Sequence, residues 1–245
     1  MYHSVSFGNR NTYSDWHLVP KTRPVIEQPE LKTVVVDIPG GQGVLDLSES
    51  LTNYPLYKNR TGTLEFNVLN DFVNWKNLYQ TISNYLHGVK LPLTLEDDPL
   101  WWYYGRYKVH WDSPSDGTWS SIKIDYDLEP FKYYSTITST NVTATSSGVN
   151  TTLLSNIVSM PVIPIVTIST MNSSSITFTC TNTELGITTT NTDGVTVTST
   201  GEHPLYNLPI SNLSGSNTCR IRAVPQLKSG SSSQAFTISY RRALL

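Results

Sequence analysis

Asn70-Asp-Phe-Val-Asn-Trp-Lys-Asn-Leu-Tyr-Gln-Thr-Ile-Ser-Asn-Tyr-Leu-His-Gly88 is the stretch whose reading decides the fold. Phe72, Trp75, Leu78, Tyr79, Ile82, Tyr85 and Leu86 recur at intervals of three and four. They therefore share one face of a helix, with Asn74, Lys76, Gln80, Ser83 and Asn84 on the other. The pattern predicts a helix over about 71–87. Asn70 or Asp71 caps its start, where amide N–H groups need an acceptor. His87 and Gly88 end it, glycine being free to take a left-handed cap. A well-buried apolar side chain contributes roughly 1.5–3 kcal/mol, so a face this aromatic calls for a broad partner surface.

That surface follows directly. Leu91, Leu93 and Leu95 alternate along a strand, and Glu96-Asp-Asp-Pro99 makes a polar turn. A run rich in strand formers comes next: Trp101, Trp102, Tyr103, Tyr104, Tyr107, Val109 and Trp111. After a turn-rich loop from Asp112 to Gly117, Ile122, Ile124, Tyr126 and Leu128 face one way, and Lys123, Asp125, Asp127 and Glu129 the other. Pro130 stops this strand. One helix on an antiparallel sheet is the unit these residues specify.

Upstream, Leu64, Phe66 and Val68 alternate with Glu65 and Asn67 as a half-buried strand. Thr33-Val-Val-Val-Asp-Ile38 is a strong β run, turned by Pro39-Gly-Gly-Gln-Gly43 and resumed at Val44, Leu45 and Leu47. No Lys-Ser/Thr follows the glycines, so the turn is a tight β turn and not a phosphate loop. Pro20, Pro24 and Pro29 make residues 20–31 an extended segment that no central strand would tolerate. Val5-Ser-Phe7 is a short strand that breaks at Gly8, and Trp16 and Leu18 return the chain to an apolar surface.

Composition splits the 245 residues in two. All six tryptophans precede residue 120, whereas about a third of the residues from Thr136 onward are Ser or Thr. Residues 1–135 carry 12 Lys and Arg against 16 Asp and Glu; the remainder carry 5 against 3. We read an N-terminal α+β domain over 1–135, an antiparallel sheet or split β-barrel with one helix, and a C-terminal β-sandwich over 136–245. The second domain rests on short alternating segments: Met160–Ile168, Ser175–Cys180, Gly194–Thr198, Thr218–Arg222 and Ala235–Tyr240, separated by Ser, Thr and Gly turns. The last strand, about 236–240, either closes this domain or returns to the first.

Several function classes are excluded. No Lys/Arg cluster supports nucleic-acid binding. No apolar run approaches the twenty residues of a membrane helix, and Met1-Tyr-His-Ser4 lacks the features of a signal peptide. His3, His17, His87, His110 and His203 have no zinc spacing. There is no Gly-x-Ser-x-Gly elbow and no carboxylate pair suited to glycoside cleavage. Glu96, Asp97 and Asp98 lack the spacing of a calcium loop and read as a solvated turn. Cys180 and Cys219 are read as buried thiols that could sit on neighbouring strands. No enzyme, cofactor or metal is expected. Trp101-Trp-Tyr-Tyr104 puts two aromatics on each face of a strand, so it serves either a core on both faces or a subunit or partner interface. Trp16 and Arg23 are the other candidates for that interface.

In order, Ser6-Phe-Gly8, Thr12-Tyr-Ser-Asp-Trp16, Val36-Asp-Ile-Pro-Gly40, Gly43-Val-Leu-Asp-Leu-Ser-Glu49, Tyr57-Lys-Asn-Arg60, Leu64-Glu-Phe66, Asn84-Tyr-Leu-His-Gly88, Asp97-Asp-Pro99, Tyr104-Gly-Arg106 and Leu128-Glu-Pro-Phe-Lys-Tyr133 resemble the N-terminal domain of phage distal tail (Dit) proteins. The likeness spans roughly residues 4–134, and Ile238-Ser-Tyr-Arg-Arg242 is similar to how many members finish. The resemblance implies a structural virion protein at the tail tip, made in the bacterial host cytoplasm. It implies a homo-hexameric ring, single or stacked as two, joining the tail tube protein to the tail-associated lysin or fibre protein. DNA would pass through its channel unbound, which a mildly acidic ring domain suits. It also implies a galectin-like C-terminal sandwich that in some members holds receptor-binding proteins. The alternative reading is a carbohydrate-binding module for cell-wall glycans. Against it stands the scarcity of Trp and Tyr after residue 135.

Overall fold

The computed structural model describes residues 2–48, 50, 55–69, 75–112, 120–153, 162–184, 187–206 and 218–245. The chain divides into two compact units, Met1–Lys132 with Leu245, and Tyr133–Leu244.

The first unit holds β1 (Val5–Phe7), β2 (Arg10–Asn11), β3 (Leu18–Pro20), β4 (Val35–Asp37), β5 (Val44–Asp46), β6 (Arg60–Val68), α1 (Trp75–Leu86), β7 (Lys90–Leu95), β8 (Trp101–Asp112) and β9 (Ser121–Leu128). Its main sheet runs β2-β1-β7-β8-β9-β6-β3, with every neighbour antiparallel. The sheet curls: the chain leaving β2 turns back so that the Leu18 amide donates to Thr12 O at 2.8 Å, and Thr12 O belongs to a residue whose own amide donates to Val5 O. The helix begins at Trp75 among the described residues, so the caps expected at Asn70 or Asp71, and Phe72, lie outside them, as does the 113–117 loop. Its end is as read: the Gly88 φ is 75° and its amide donates to Tyr107 O.

Ile82 and Leu86 on α1 join Phe7, Leu18, Leu64, Phe66, Leu93, Tyr107, Val109 and the alternate β9 residues Ile122, Ile124, Tyr126 and Leu128 in one core. Burial keeps the Tyr107 phenol well above its ordinary pKa, and its hydroxyl donates to Leu91 O at 3.0 Å. At Gly105 β8 passes close against β9. A Cβ there would collide with Asp127 O and come within 2.6 Å of Leu128 Cα, so no side chain fits.

The second unit begins at the junction strand β10 (Lys132–Tyr134) and holds β11 (Thr138–Ala144), β12 (Val149–Leu153), β13 (Ile165–Ile168), β14 (Ser173–Glu184), β15 (Ile187–Val197), β16 (Gly201–Pro204), β17 (Thr218–Leu227), β18 (Gln234–Tyr240) and β19 (Ala243–Leu244). Two sheets, β11-β18-β13-β16 and β12-β17-β14-β15, face each other. Val142, Val166, Phe236 and Ile238 from one sheet pack on Leu153, Phe178, Cys180 and Ile221 from the other, with Phe178 and Phe236 edge to face at 5.4 Å. β18 pairs with β11 and β13, and β19 then pairs with β10. The Ser/Thr-rich stretch after Ser135 contains β11, which lies at a sheet edge. Of Met160–Ile168 only Ile165–Ile168 is strand among the described residues.

Gln234 is fully buried at the start of β18. Its Oε1 accepts from the Asn172 amide at 2.7 Å and from Ser173 Oγ, and its Nε2 donates to Thr170 O at 2.7 Å and to Ala235 O. One side chain thus satisfies the turn between β13 and β14. Gln234→Leu orphans the Asn172 N–H and the Thr170 carbonyl. We expect a loss of about 2–4 kcal/mol, read as a lower denaturation midpoint of the second unit. A loss within 0.5 kcal/mol, roughly the range of a neutral surface change, contradicts this assignment.

Candidate functional site

The β4–β5 hairpin stands apart from the main sheet. Val35 pairs with Asp46, Val36 with Leu45 and Asp37 with Val44, and among the described residues no third strand joins them. Positive φ at Gly40 and Gly43 closes its turn, which explains the glycines without any anion. At its base the Leu47 amide donates to Val34 O, and the Val34 amide to Ser48 Oγ, both at 2.8 Å. Below that, a bridge between Leu31 and Tyr57 and the bond from the Lys32 amide to Leu56 O tie the arm to the unit.

The register divides its side chains between two faces. Val34, Val36, Ile38, Leu45 and Leu47 make one face wholly apolar, while Val35 and Val44 share the other with Asp37 and Asp46. All seven apolar side chains are exposed, Val36 at 48% and Leu45 at 50%. Isolated exposed apolar residues are ordinary; a contiguous stripe marks an interaction surface. A lone two-stranded hairpin is marginal in water, so burying this face also stabilises the arm. The sequence held a signal for it. Val34, Val35 and Val36 are apolar at consecutive positions, the pattern of a strand covered on both faces, yet this hairpin has neither face covered.

The candidate interface residues separate. Trp16 is 3% exposed and packs against Phe7 at 6.2 Å and Tyr85 at 5.8 Å, and Tyr103 is 8% exposed beneath the Arg60 guanidinium at 5.4 Å. Both are core residues of the subunit, which corrects the reading of them as interface. Trp16 is drawn inward by the 11–17 turn, where Asn11 Oδ1 accepts from the Tyr13 and Ser14 amides and Asp15 accepts from the Asn11 amide. Trp101, Trp102 and Tyr104 are half-buried. Trp102 and Tyr104 meet edge to face at 5.8 Å, Lys90 Nζ lies 4.7 Å from the Tyr104 ring, and Lys132 Nζ lies 5.3 Å from the Trp101 ring. These three remain available to an interface. Arg23 is exposed and donates to Asp97 at 2.7 Å.

Glu96, Asp97 and Asp98 are staples and not merely a solvated turn. Glu96 accepts from the Ser4 amide and hydroxyl, Asp97 from His3 Nδ1 and Arg23 Nε, and Asp98 from Lys132 Nζ. The hydrogen bond from His3, then that from Arg23, holds the Asp97 carboxyl below its ordinary value. A carboxylate lowered in the folded state contributes stability that is full above its unfolded value, about 3.9. That contribution disappears as pH falls through the lower folded value. Asp97→Asn therefore weakens the protein at neutral pH and flattens the acid limb of its stability curve below about pH 4. Parallel acid limbs for both proteins in pH-dependent denaturation would contradict this.

Among the described residues, no group of three or more His, Cys, Asp or Glu could hold a metal ion, and no helix is long and apolar enough to cross a membrane. In the sandwich after residue 135, Phe178, Phe236 and Tyr240 are core residues, and among the described residues Tyr206, 69% exposed, is the one aromatic open to solvent.

Among the described residues the chain is a two-unit β protein: a curled antiparallel sheet carrying one helix and a separate hairpin, followed by a β-sandwich. No family model and no curated protein matches it. Among solved structures its fold is similar to that of SPP1 Dit (gp 19.1), described as a paradigm of the hub adsorption apparatus in phages infecting Gram-positive bacteria. The two chains are 14% identical, superpose with a TM-score of 0.64, and each is covered over 100% of its length. The Dit-like character read from residues 4–134 thus holds at the level of the fold and extends to the second unit.

Proposed function

We propose that this chain is a non-enzymatic structural protein of a phage tail tip, assembling into a hexameric ring that joins the tail tube to the adsorption apparatus. The observation that carries this reading is the fold match along the whole of both chains. The apolar hairpin arm supports it, because a subunit built to assemble presents a surface that water disfavours. The occupant of that surface is the neighbouring copy of this chain. Head-to-tail contacts of one kind close into a ring when the rotation between copies divides a full turn. The ring is built by the N-terminal domain, residues 1–135. Its 12 basic against 16 acidic residues favour a channel that DNA traverses without sticking. The sandwich, residues 136–245, faces the host-recognition components of the tail tip. Trp101, Trp102, Tyr104 and Arg23 contribute to contacts with neighbours or partners.

The test is the solution mass of the purified protein by light scattering across a concentration series, with negative-stain imaging. Six or twelve copies around a central hole are expected. A monomer at every concentration, with no ring in the images, overturns the assembly.

A further inference from the structure

Cys180 on β14 and Cys219 on β17 carry no disulfide, yet their sulfurs lie 3.2 Å apart. β14 and β17 are hydrogen-bonded neighbours, with Cys180 opposite Ile221 and Cys219 opposite Asn182. The two cysteines are thus a diagonal pair, offset by two residues, and the period of two puts them on the same face. Both are buried in the core between the sheets, among Leu153, Phe178 and Ile221. No third ligand is near enough to make this a metal site, since no cluster of three metal-binding side chains exists among the described residues. A thiol pair in this setting has one distinctive chemistry, oxidation to a bond between the strands.

We propose that Cys180 and Cys219 are a latent disulfide site, closed by peroxide when the protein leaves a reducing cytosol. The two thiols share one hydrogen bond across 3.2 Å, in which either sulfur can donate, and sharing it favours the Cys180 thiolate over that of Cys219. Cys180 is therefore the first to react. Its thiolate attacks hydrogen peroxide, forming a sulfenic acid and releasing hydroxide. The Cys219 sulfur then attacks that sulfenic sulfur, the S–S bond forms, and water leaves. In sum two thiols and one peroxide give one disulfide and two waters. Peroxide is small enough to reach a buried thiol through local openings of a fold, whereas a bulky disulfide such as oxidised glutathione has no room at residues only 1% and 2% exposed. The bond would fasten β14 to β17 across the chain segment between them, restricting the unfolded state and stabilising the sandwich. The site is set by the structure of the second unit alone. Only its timing, release of a virion from the host, rests on the proposed function, so the test below stands whether or not rings form.

The experiment compares the full-length protein kept in dithiothreitol with the same protein treated with dilute hydrogen peroxide. Intact mass after unfolding and alkylation should show a loss of about 2 Da and no alkylated cysteine. Peptide mapping should place the bond between Cys180 and Cys219. The oxidised second unit should melt roughly 10 °C higher, and dithiothreitol added to the unfolded protein should abolish the gain. Cys219→Ser should give no loss of 2 Da. Both thiols alkylated after peroxide, a gain of oxygen on Cys180 as the stable product, or a bond between two copies of the chain would each overturn the proposal. The wild-type comparison needs no variant to fold.

Discussion

Val36→Thr combined with Leu45→Thr leaves the subunit folded and dissolves its assembly. The two residues lie directly opposite each other on the apolar face of the hairpin. Threonine keeps the branched β-carbon of Val36 and supplies one at position 45, which strands favour. Both sites are about half exposed, so little is lost within the monomer and its stability should change by less than about 0.5 kcal/mol. At a contact between copies the same changes remove buried apolar area and introduce hydroxyls without partners. At roughly 1–2 kcal/mol for each side chain, each contact loses about 3 kcal/mol. By the rule of tenfold per 1.4 kcal/mol, that weakens it about 100-fold. Every subunit repeats the change, so a ring should fall to monomers at micromolar concentration. Light scattering and denaturation on the same sample separate the two effects. A ring of unchanged mass removes the hairpin from the interface, and a melted monomer assigns it a folding role instead.

Arg60→Ala should be the most destabilising single substitution we expect. Arg60 opens β6 and is 2% exposed. Its Nε donates to Pro130 O and its Nη1 to Glu27 O, both at 2.7 Å, while its guanidinium covers Tyr103. One side chain thereby holds the proline-rich segment and the end of β9 onto the strand between them. Burial pushes the guanidinium pKa down, though arginine stays charged at any working pH. Alanine leaves two carbonyls without donors and a cavity where a long side chain lay, a combined loss of about 3–5 kcal/mol. Arg60→Lys should restore little of it, because one ammonium on a flexible stem cannot serve two carbonyls that a planar fork reaches at once. A denaturation midpoint close to wild type would show that the two segments are held by other contacts.

What was legible in the sequence followed periodicity. α1 and β9 each bury one face and wet the other, so Ile82, Leu86, Ile122, Ile124 and Leu128 could be assigned inward from spacing alone. Local chemistry located Gly88 at the helix end and the glycine turn of the hairpin. What escaped depends on which strands meet. Nothing in Trp16 or Tyr103 distinguishes an aromatic in a core from one at an interface, and large aromatics serve both. Arg60 and Gln234 look like surface residues because charged and amide side chains are exposed by default. Only the carbonyls and amides brought to them by distant segments make their burial tolerable. The thiols were legible as a buried pair, but their 3.2 Å separation required the register of β14 on β17.

The order of the main sheet carries a consequence in time. β1 pairs with β7, Val5 opposite Leu95, so the first strand emerges from the ribosome about 90 residues before its partner. At roughly 5–20 residues per second, that is a delay of about 5–20 s, long compared with collapse of a small chain. β3 likewise waits for β6. Contacts this distant in sequence are also slow to close. Meanwhile the apolar arm of β4 and β5 is already synthesised. Nascent chains on one message thus display sticky hairpins to each other before any of them owns a finished sheet. Slower translation, or ribosomes set closer together, should then lower the yield of assembly-competent subunits.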